Sequence, residues 1–149
     1  MAQILHRISI AAPAGEVHDL IAGKEGIESW WTGRTVEGDS AVGGQLSLYF
    51  SNGEEPAAVM EVVSDTPEEV VWRCVEGPED WRETSITFAL RPASDGGTTL
   101  LFEHAGWREP NEFMGGCTTN WGAYLTSLKS GAEGNGFGAY PHGEVSRWG

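Results

Sequence analysis

Basic residues and cysteines are scarce in this 149-residue sequence, and long apolar runs are missing from it. Lysine and arginine total 9 against 22 aspartates and glutamates, which gives a net charge of −13. A surface this acidic repels nucleic acids and anionic membranes, so we expect neither as a partner. No segment approaches the roughly 18 apolar residues of a membrane span, and the first ten residues lack the features of a signal peptide. We therefore expect a cytoplasmic protein.

Motifs for metal binding and for catalysis are also missing. The only two cysteines, Cys74 and Cys117, lie far apart in the sequence and form no C-x-x-C pair. We expect both to be free thiols on apolar faces, where cysteine behaves as a small hydrophobe. His6, His18 and His142 show no metal-ligand spacing with any carboxylate. Because signatures of hydrolases, phosphate-binding loops and dinucleotide sites are absent as well, we expect neither a metal nor a cofactor.

The chain is long enough for one domain with a sizeable core. A first strand is predicted over 4–10, and Pro13 suits the start of a short helix that Gly23 ends. A second short helix follows over 24–31. From there the apolar period changes to two, which predicts five strands joined by short turns, among them an Asn-Gly turn at 52–53. These strands cover 45–50, 57–64, 70–76, 83–91 and 98–107, and they favour an antiparallel meander with one buried face.

A long amphipathic helix is predicted from about Asn111 to Gly131. Its apolar stripe has the spacing of one helix face and consists of Cys117, Trp121, Tyr124, Leu125 and Leu128. The remaining residues, 132–149, are rich in glycine, lack periodicity and are predicted to be a tail outside the domain. The aromatic residues of this tail could dock on the same chain or on a second one, which leaves a homodimer open.

Several motifs, in this order, resemble one protein family. They are I-S-I-A-A-P-A-G-E-V at 8–17, G-I-E-S-W-W at 26–31, G-G at 43–44, E-V-V-S-D-T-P-E-E-V-V at 61–71, G-G-T-T-L at 96–100 and W-G-A-Y-L-T-S-L-K at 121–129. The pattern is similar to the heat-shock protein 90 ATPase activator homologue family, within the superfamily of START domains, birch-pollen-allergen-like proteins and polyketide cyclases. The resemblance covers about residues 3–131.

The resemblance implies an α+β helix-grip fold for residues 1–131. In that fold a curved antiparallel sheet wraps around the long C-terminal helix, two short helices follow the first strand, and a cavity lies between sheet and helix. Two features depart from the family pattern: His18 stands where a tryptophan is common, and the glycine-rich tail has no counterpart. Family members that assist the chaperone usually carry a separate N-terminal domain, for which we expect no room in this chain.

Trp30 and Trp31 are adjacent at the end of the second short helix. Neighbouring helical side chains point about 100° apart, so both indoles cannot enter one ordinary core together. One can fill the core while the other closes the mouth of the cavity, or one can be core and the other half-exposed. Trp72, Phe102, Trp121, Tyr124 and Leu125 are either plain core or the wall of the same cavity.

His104 is the polar residue on the apolar face of its strand. A histidine in such a place is more often a satisfied core group than a catalyst. The first hypothesis is therefore that the cavity binds a small hydrophobic or aromatic molecule without catalysis. The alternative is an enzyme of the polyketide cyclase or aromatase type, with His104 as its polar group. A third hypothesis is a protein-interaction domain that regulates a chaperone.

Overall fold

The computed structural model describes residues 2–31, 35–49 and 53–135. Within these residues, one antiparallel sheet and three helices form the domain. The sheet has seven strands: β1 (Ala2–Ile10), β2 (Glu37–Gly38), β3 (Gln45–Leu48), β4 (Ala58–Thr66), β5 (Glu69–Glu76), β6 (Ser85–Pro92) and β7 (Thr98–Trp107). The helices are α1 (Ala14–Ala22), α2 (Lys24–Trp30) and α3 (Glu112–Ala132), and a 3₁₀ turn spans Glu79–Trp81.

The strands lie in the order β1-β7-β6-β5-β4-β3-β2, and all pairs are antiparallel. The first strand therefore pairs with the last one, and the middle strands follow as the predicted meander. All three helices pack against one face of this sheet, where the alternate residues of each strand are buried. This arrangement confirms the predicted α+β helix-grip fold, with its two short helices after the first strand and its long C-terminal helix.

β4 is the strand whose sequence gives no orientation, because apolar residues occupy both of its sides. The register between β4 and β5 shifts between Val59 and Met60 and again between Val62 and Ser64. The first shift leaves Val75 of β5 unpaired and the second leaves Val63 of β4 unpaired, so only the second turns the following residues of β4 to the other face. Ala58, Met60 and Val62 alternate on the inner face, Val59 between them is buried as well, and Val63 in the bulge is exposed.

α1 and α2 are separated by Gly23 and approach each other closely. A Cβ atom on Gly26 would lie 2.5 Å from the Asp19 carbonyl oxygen and 2.6 Å from the Leu20 Cα. Only glycine therefore allows this crossing. The His18 imidazole, on α1, contacts the Asp65 carboxylate of β4 at 2.6 Å, which ties the helix to the far part of the sheet.

Side-chain hydrogen bonds fix both ends of α3: at the start they cap the helix backbone, and at the end they join the helix to the backbone of the first strand and of the residue that follows it. The Met114 N–H donates to the Asn111 side-chain oxygen over 2.9 Å, a standard N-terminal cap. At the other end the Lys129 ammonium donates to the Ser9 carbonyl, and the Ala11 N–H donates to the Glu133 carboxylate, each over 2.7 Å. The helix ends at Ala132, one residue beyond the predicted stop at Gly131.

Some of the sequence predictions lie outside the described residues. They concern Phe50 as part of the third strand, Asn52 as part of the Asn-Gly turn, and the tail beyond Asn135. Within the described part of the chain, no helix is long and apolar enough to cross a membrane.

Candidate functional site

Trp30 lies between α1 and the sheet and is fully buried. Its indole N–H donates to the Leu20 carbonyl over 2.7 Å. Leu20 belongs to the last turn of α1, where carbonyls have no partner within the helix. The ring also meets Phe88 of β6 edge-on at 6.2 Å. Trp30 thus caps a carbonyl at the C-terminal end of α1, and its ring fills the core behind α2.

Trp31, the next residue, packs directly on α3. Its ring stacks on Tyr124 of α3, with centroids 4.2 Å apart and planes 10° from parallel. Its indole N–H donates to the Tyr49 carbonyl at the end of β3 over 2.9 Å. The ring is 1% exposed. The two indoles meet edge-on with centroids 6.2 Å apart, and both contact Tyr124. The prediction that they cannot enter one core together is therefore wrong, and neither ring is half-exposed on the surface.

The other predicted site residues meet in the same cluster. Trp121 of α3 packs on Phe102 at 4.6 Å between centroids and on Trp31 at 5.8 Å. Phe88 joins the sheet side of the cluster, because it contacts both Trp72 at 5.0 Å and Phe102 at 5.3 Å. Each of the eight predicted side chains is at most 3% exposed: Trp30, Trp31, Trp72, Phe102, His104, Trp121, Tyr124 and Leu125. In this state the aromatic cluster is closed to solvent.

Sequence reasoning missed three aromatic members of the cluster. Phe88 belongs to the predicted strand over 83–91, whose period of two places it on the same face as Ile86 and Leu90 and so could have indicated it. Trp81, in the 3₁₀ turn, stacks on Trp121 with planes 14° apart. Trp107, at the end of β7, lies 5.1 Å from the His104 ring. Neither Trp81 nor Trp107 has a periodic context that could have placed it.

His104 lies at the centre of a chain of hydrogen bonds. The Trp121 indole N–H donates to His104 Nδ1 over 3.2 Å, so the ring proton is on Nε2. Nε2 lies 2.8 Å from the Thr84 hydroxyl, and that hydroxyl donates to the Trp81 carbonyl. The imidazole is fully buried, and burial lowers its pKa from 6.5 to about 3. His104 is therefore neutral at physiological pH, and both of its nitrogens are engaged within the protein.

Trp107 carries a buried side-chain donor for which the described residues supply no acceptor. Its indole is 1% exposed, and its Nε1 atom has no hydrogen-bond partner in the described ranges. The ring packs against Phe113, with centroids 6.1 Å apart. Phe113 and Met114 form the first turn of α3 and are only partly buried. The unsatisfied donor thus lies under the part of α3 that is closest to solvent.

Both cysteines are buried and free, as predicted. Burial raises the pKa of each thiol to about 11. Cys117 accepts a hydrogen bond from the Trp81 indole over 3.4 Å and so belongs to the floor of the aromatic cluster. Among the described residues, no group of three histidine, cysteine or acidic side chains is placed to hold a metal ion.

Two surface concavities lie among the described residues, and one of them borders Phe102 of the aromatic cluster. One, of about 680 Å³, follows the outer face of the sheet, where Leu5, Arg7, Ala89 and Leu101 line it. The other, of about 570 Å³, lies beside the start of α1, with the carboxylates of Glu16, Asp19 and Glu68 around it. Both are open grooves on the outside of the domain.

Comparisons with known proteins place these features in a family. The family model described as "Activator of Hsp90 ATPase homolog 1-like protein" matches residues 11–133. The solution structure of the Aha1 dimer from Colwellia psychrerythraea is similar at 30% sequence identity, with a TM-score of 0.79, over 89% of this chain and 97% of that one. No curated protein matches the sequence.

Two further solved structures share the fold at lower identity. Protein MLL2253 from Mesorhizobium loti is 20% identical, with a TM-score of 0.72, over 87% of this chain and 95% of that one. CalU16 from Micromonospora echinospora is 22% identical, with a TM-score of 0.68, over 89% of this chain and 74% of that one. Their likeness extends to the helix-grip fold alone. The chain belongs to the family of activator of Hsp90 ATPase homologue 1-like proteins.

Proposed function

We propose that the domain binds a small apolar or aromatic molecule between the sheet and α3, without chemical transformation. The observation that carries this proposal is the buried Trp107 N–H, which has no acceptor among the described residues. An unsatisfied buried donor costs about 1–3 kcal/mol. A ligand with a carbonyl, ether or phenol oxygen at this place would remove that cost, while its rings would pack against the aromatic cluster.

The chemistry of the cluster supports a neutral ligand. The buried polar side chains are those of threonines, serine, asparagine and histidine: Thr84, Thr98, Thr99, His104, Asn120 and Ser127. Among the described residues the fully buried core supplies no cation to pair with a carboxylate, and the net charge of −13 disfavours anions further. A neutral polycyclic compound of the flavonoid or polyketide type therefore fits better than a fatty acid.

The closed state of the cluster sets how a ligand enters. The predicted wall residues are at most 3% exposed, so binding requires an opening. The first turn of α3 is the element to move, because Phe113 and Met114 are only partly buried. A protein whose competent state is a minor population binds with an affinity reduced by that fraction. We expect slow association and moderate affinity.

The environment of His104 is the reason for proposing binding rather than catalysis. A general base must reach a proton on the substrate. Both nitrogens of His104 are instead engaged with Trp121 and Thr84, and the ring is fully buried. In the alternative, cyclase-type function, His104 would have to leave both partners before it could act.

Paired tryptophan variants test the ligand site. Trp107→Phe keeps an aromatic ring but removes the unsatisfied N–H, whereas Trp81→Phe removes an N–H that already bonds Cys117. Titrations followed by fluorescence, with flavonoid-like and polyketide-like compounds and with hydrocarbon analogues that lack oxygen, measure the affinities. We expect Trp107→Phe to weaken the oxygenated compounds about tenfold relative to the hydrocarbons, and Trp81→Phe to change that ratio little.

Two results would contradict the proposal. One is the absence of saturable binding by every compound class to the folded wild-type protein. The other is binding that survives in Trp107→Phe with an unchanged ratio, which would move the ligand away from Trp107. Conversion of a bound compound by the wild type but not by His104→Gln would favour the enzyme.

The family supports a second candidate function. Its description names activation of the Hsp90 ATPase, so this chain is a candidate for binding to a chaperone of that class. The test is the ATP hydrolysis rate of purified Hsp90 with and without the domain, with Trp31→Ala as a variant that disturbs the aromatic cluster. A rate that does not change at saturating domain would exclude a stimulating role.

We propose in addition that the protein forms a homodimer in the cytoplasm. The dimer is supported by the Colwellia psychrerythraea relative, which was solved as a dimer and is 30% identical. The location is supported by the two free, buried cysteines, since a reducing compartment keeps thiols unpaired.

A further inference from the structure

The outer edge of β1 is where unpaired backbone groups are exposed. β1 pairs with β7 on one side only and is the terminal strand of the sheet. Gln3, Leu5, Arg7 and Ser9 are exposed, and they alternate with buried or half-buried residues. In a regular strand the backbone groups of alternate residues point to the same edge. Those of the odd-numbered residues point away from β7, because the Ser9 carbonyl bonds the Lys129 side chain and the Ala11 N–H bonds the Glu133 side chain.

One end of this edge is covered and the other is not. Lys129 donates a hydrogen bond to the Ser9 carbonyl, and Glu133 accepts one from the Ala11 N–H. Within the described residues, the outward N–H and C=O groups of Gln3, Leu5 and Arg7 have no partner. Residues 3–7 contain no proline, and Leu5 is 61% exposed. Edge strands usually carry some protection against pairing. We call this five-residue segment the β1 edge.

We propose that the β1 edge pairs with the β1 edge of a second copy, antiparallel and with Leu5 on the twofold axis. This inference rests on the homodimer proposed above and names its surface. The pairing sets Leu5 opposite Leu5 of the second copy and Gln3 opposite Arg7. It joins the two seven-stranded sheets across six new backbone hydrogen bonds, two for each of the three facing pairs.

Charge favours a second copy as the occupant. The chain carries 22 acidic residues, and two copies repel each other over most of their surface. Residues 2–10 contain none of these acids, and Arg7 forms no ion pair with any described residue. In the proposed register each Arg7 guanidinium faces the side-chain carbonyl of Gln3, an acceptor. The β1 edge is thus the place where two copies meet with little repulsion.

Analytical ultracentrifugation from about 1 to about 500 µM tests the proposal, because a short strand pairing should dissociate in the micromolar range. Leu5→Lys brings two cations together at the axis and should weaken the dimer at least tenfold. Val63→Lys is the matched control: it introduces the same charge at another exposed apolar residue of the outer sheet face and should change dissociation less than twofold.

The register is tested by two changes at one position. Gln3→Lys sets a cation opposite Arg7 and should weaken the dimer, whereas Gln3→Glu creates two symmetric ion pairs and should tighten it. Tightening by Gln3→Glu is diagnostic, because an added negative charge on this acidic chain otherwise increases repulsion. Circular dichroism and melting curves of each variant verify that the monomer is folded.

The outcomes separate the surface from the dimer itself. If the dissociation constant of the dimer were unchanged in Leu5→Lys and in both Gln3 variants, the homodimer would stand, but the β1 edge would not be its surface. A monomer at every concentration would overturn both. If removal of residues 136–149 were needed before dimers formed, the tail would occupy the edge, and the second copy would be the wrong partner. The ligand proposal is not affected by any of these three outcomes, because ligand binding is measured in a separate experiment.

Discussion

At the scale of single residues, His104 shows how burial fixes a protonation state. A charged imidazole would place a proton on Nδ1, against the Trp121 N–H that now donates to it. Two donors would then face each other in a site without solvent, which adds to the cost of burying the charge. The low pKa of about 3 follows from this burial. His104 is therefore a source of acid sensitivity in the folded protein.

The sign of that sensitivity follows from the two pKa values. The unfolded chain binds a proton at His104 near pH 6.5, whereas the folded one does so only near pH 3. The contribution of the neutral His104 ring to the free energy of unfolding is complete above pH 6.5 and is lost as the pH falls toward 3. We expect the free energy of unfolding to fall on the order of 2 kcal/mol more between pH 7 and pH 4.5 in the wild type than in His104→Gln. Urea denaturation at both pH values measures this.

The NMR signals of the His104 ring provide a separate test. They should show no titration above about pH 4, in accordance with the lowered pKa. Urea curves of His104→Gln that run parallel to those of the wild type would mean that the ring takes up its proton in the folded protein.

The two thiols yield a second prediction at this scale. With a pKa of about 11, about one thiol in a thousand is ionised at pH 8, and both groups are buried. We expect a thiol reagent such as Ellman's reagent to label the native protein at least a hundredfold more slowly than a free cysteine. After denaturation without reductant it should count two thiols per chain. A count of zero would reveal a disulfide and would contradict the free state of Cys74 and Cys117.

At the scale of elements, the crossing of α1 and α2 leaves room for a side chain at one helical glycine and none at another. A Cβ at Gly26 would collide with the α1 backbone, whereas one at Gly15 meets nothing within 4 Å. We expect Gly26→Ala to destabilise the fold by about 2 kcal/mol or more and to shift the tryptophan emission, because α2 carries Trp30 and Trp31. Gly15→Ala should stabilise it by about 0.5 kcal/mol. Thermal melts measure both effects. If the two variants changed the melting temperature in the same direction, the helices would not be packed as closely at Gly26 as the structure indicates.

The elements themselves could be predicted from the sequence, because each had a local signal. The period of two gave the long strands, and the stripe from Cys117 to Leu128 gave α3. β2 is only two residues long, and the 3₁₀ turn at Glu79–Trp81 has no period, so neither had a pattern to detect. β4 could not be oriented because Val59 and Val63 interrupt the alternation of apolar and polar residues, and Val63 lies in a bulge that no local pattern reports.

The site was harder to predict than the fold, for a physical reason. Which aromatic residues are buried follows from alternation, and Trp72, Phe102 and Trp121 do meet in one cluster. Whether they enclose a void depends on how closely their rings pack, which is a matter of tenths of an ångström. The Trp30 contact with the Leu20 carbonyl likewise depends on how α1 and α2 cross, and no local pattern reports that angle.

At the scale of the whole molecule, contacts with the sheet and with α3 continue beyond the predicted domain boundary at residue 131. Glu133 accepts from the Ala11 N–H and from Lys129, and both contacts lower its pKa. A chain that ends at Asn135 should keep these contacts and melt within about 2 °C of the full chain. A chain that ends at Gly131 loses them and should melt several degrees lower. Calorimetry of the two truncations and the full chain distinguishes them.

A large drop in melting temperature for the chain that ends at Asn135 would show that residues 136–149 stabilise the domain. Equal melting of both truncations would show that Glu133 contributes little, despite its contacts with β1 and Lys129. Either result would move the functional boundary of the domain.

The pairing of β1 with β7 also has a consequence for synthesis on the ribosome. Ile10 faces Thr98 in the finished sheet, so the first strand is made about ninety residues before its neighbour. At roughly 5–20 residues per second, the emerging chain waits about 5–20 s with β1 unpaired on both sides. During that interval Ile4, Ile8 and Ile10 have no sheet to cover them. The nascent chain, rather than the finished domain, is the form of this protein with the greatest need of a holding chaperone.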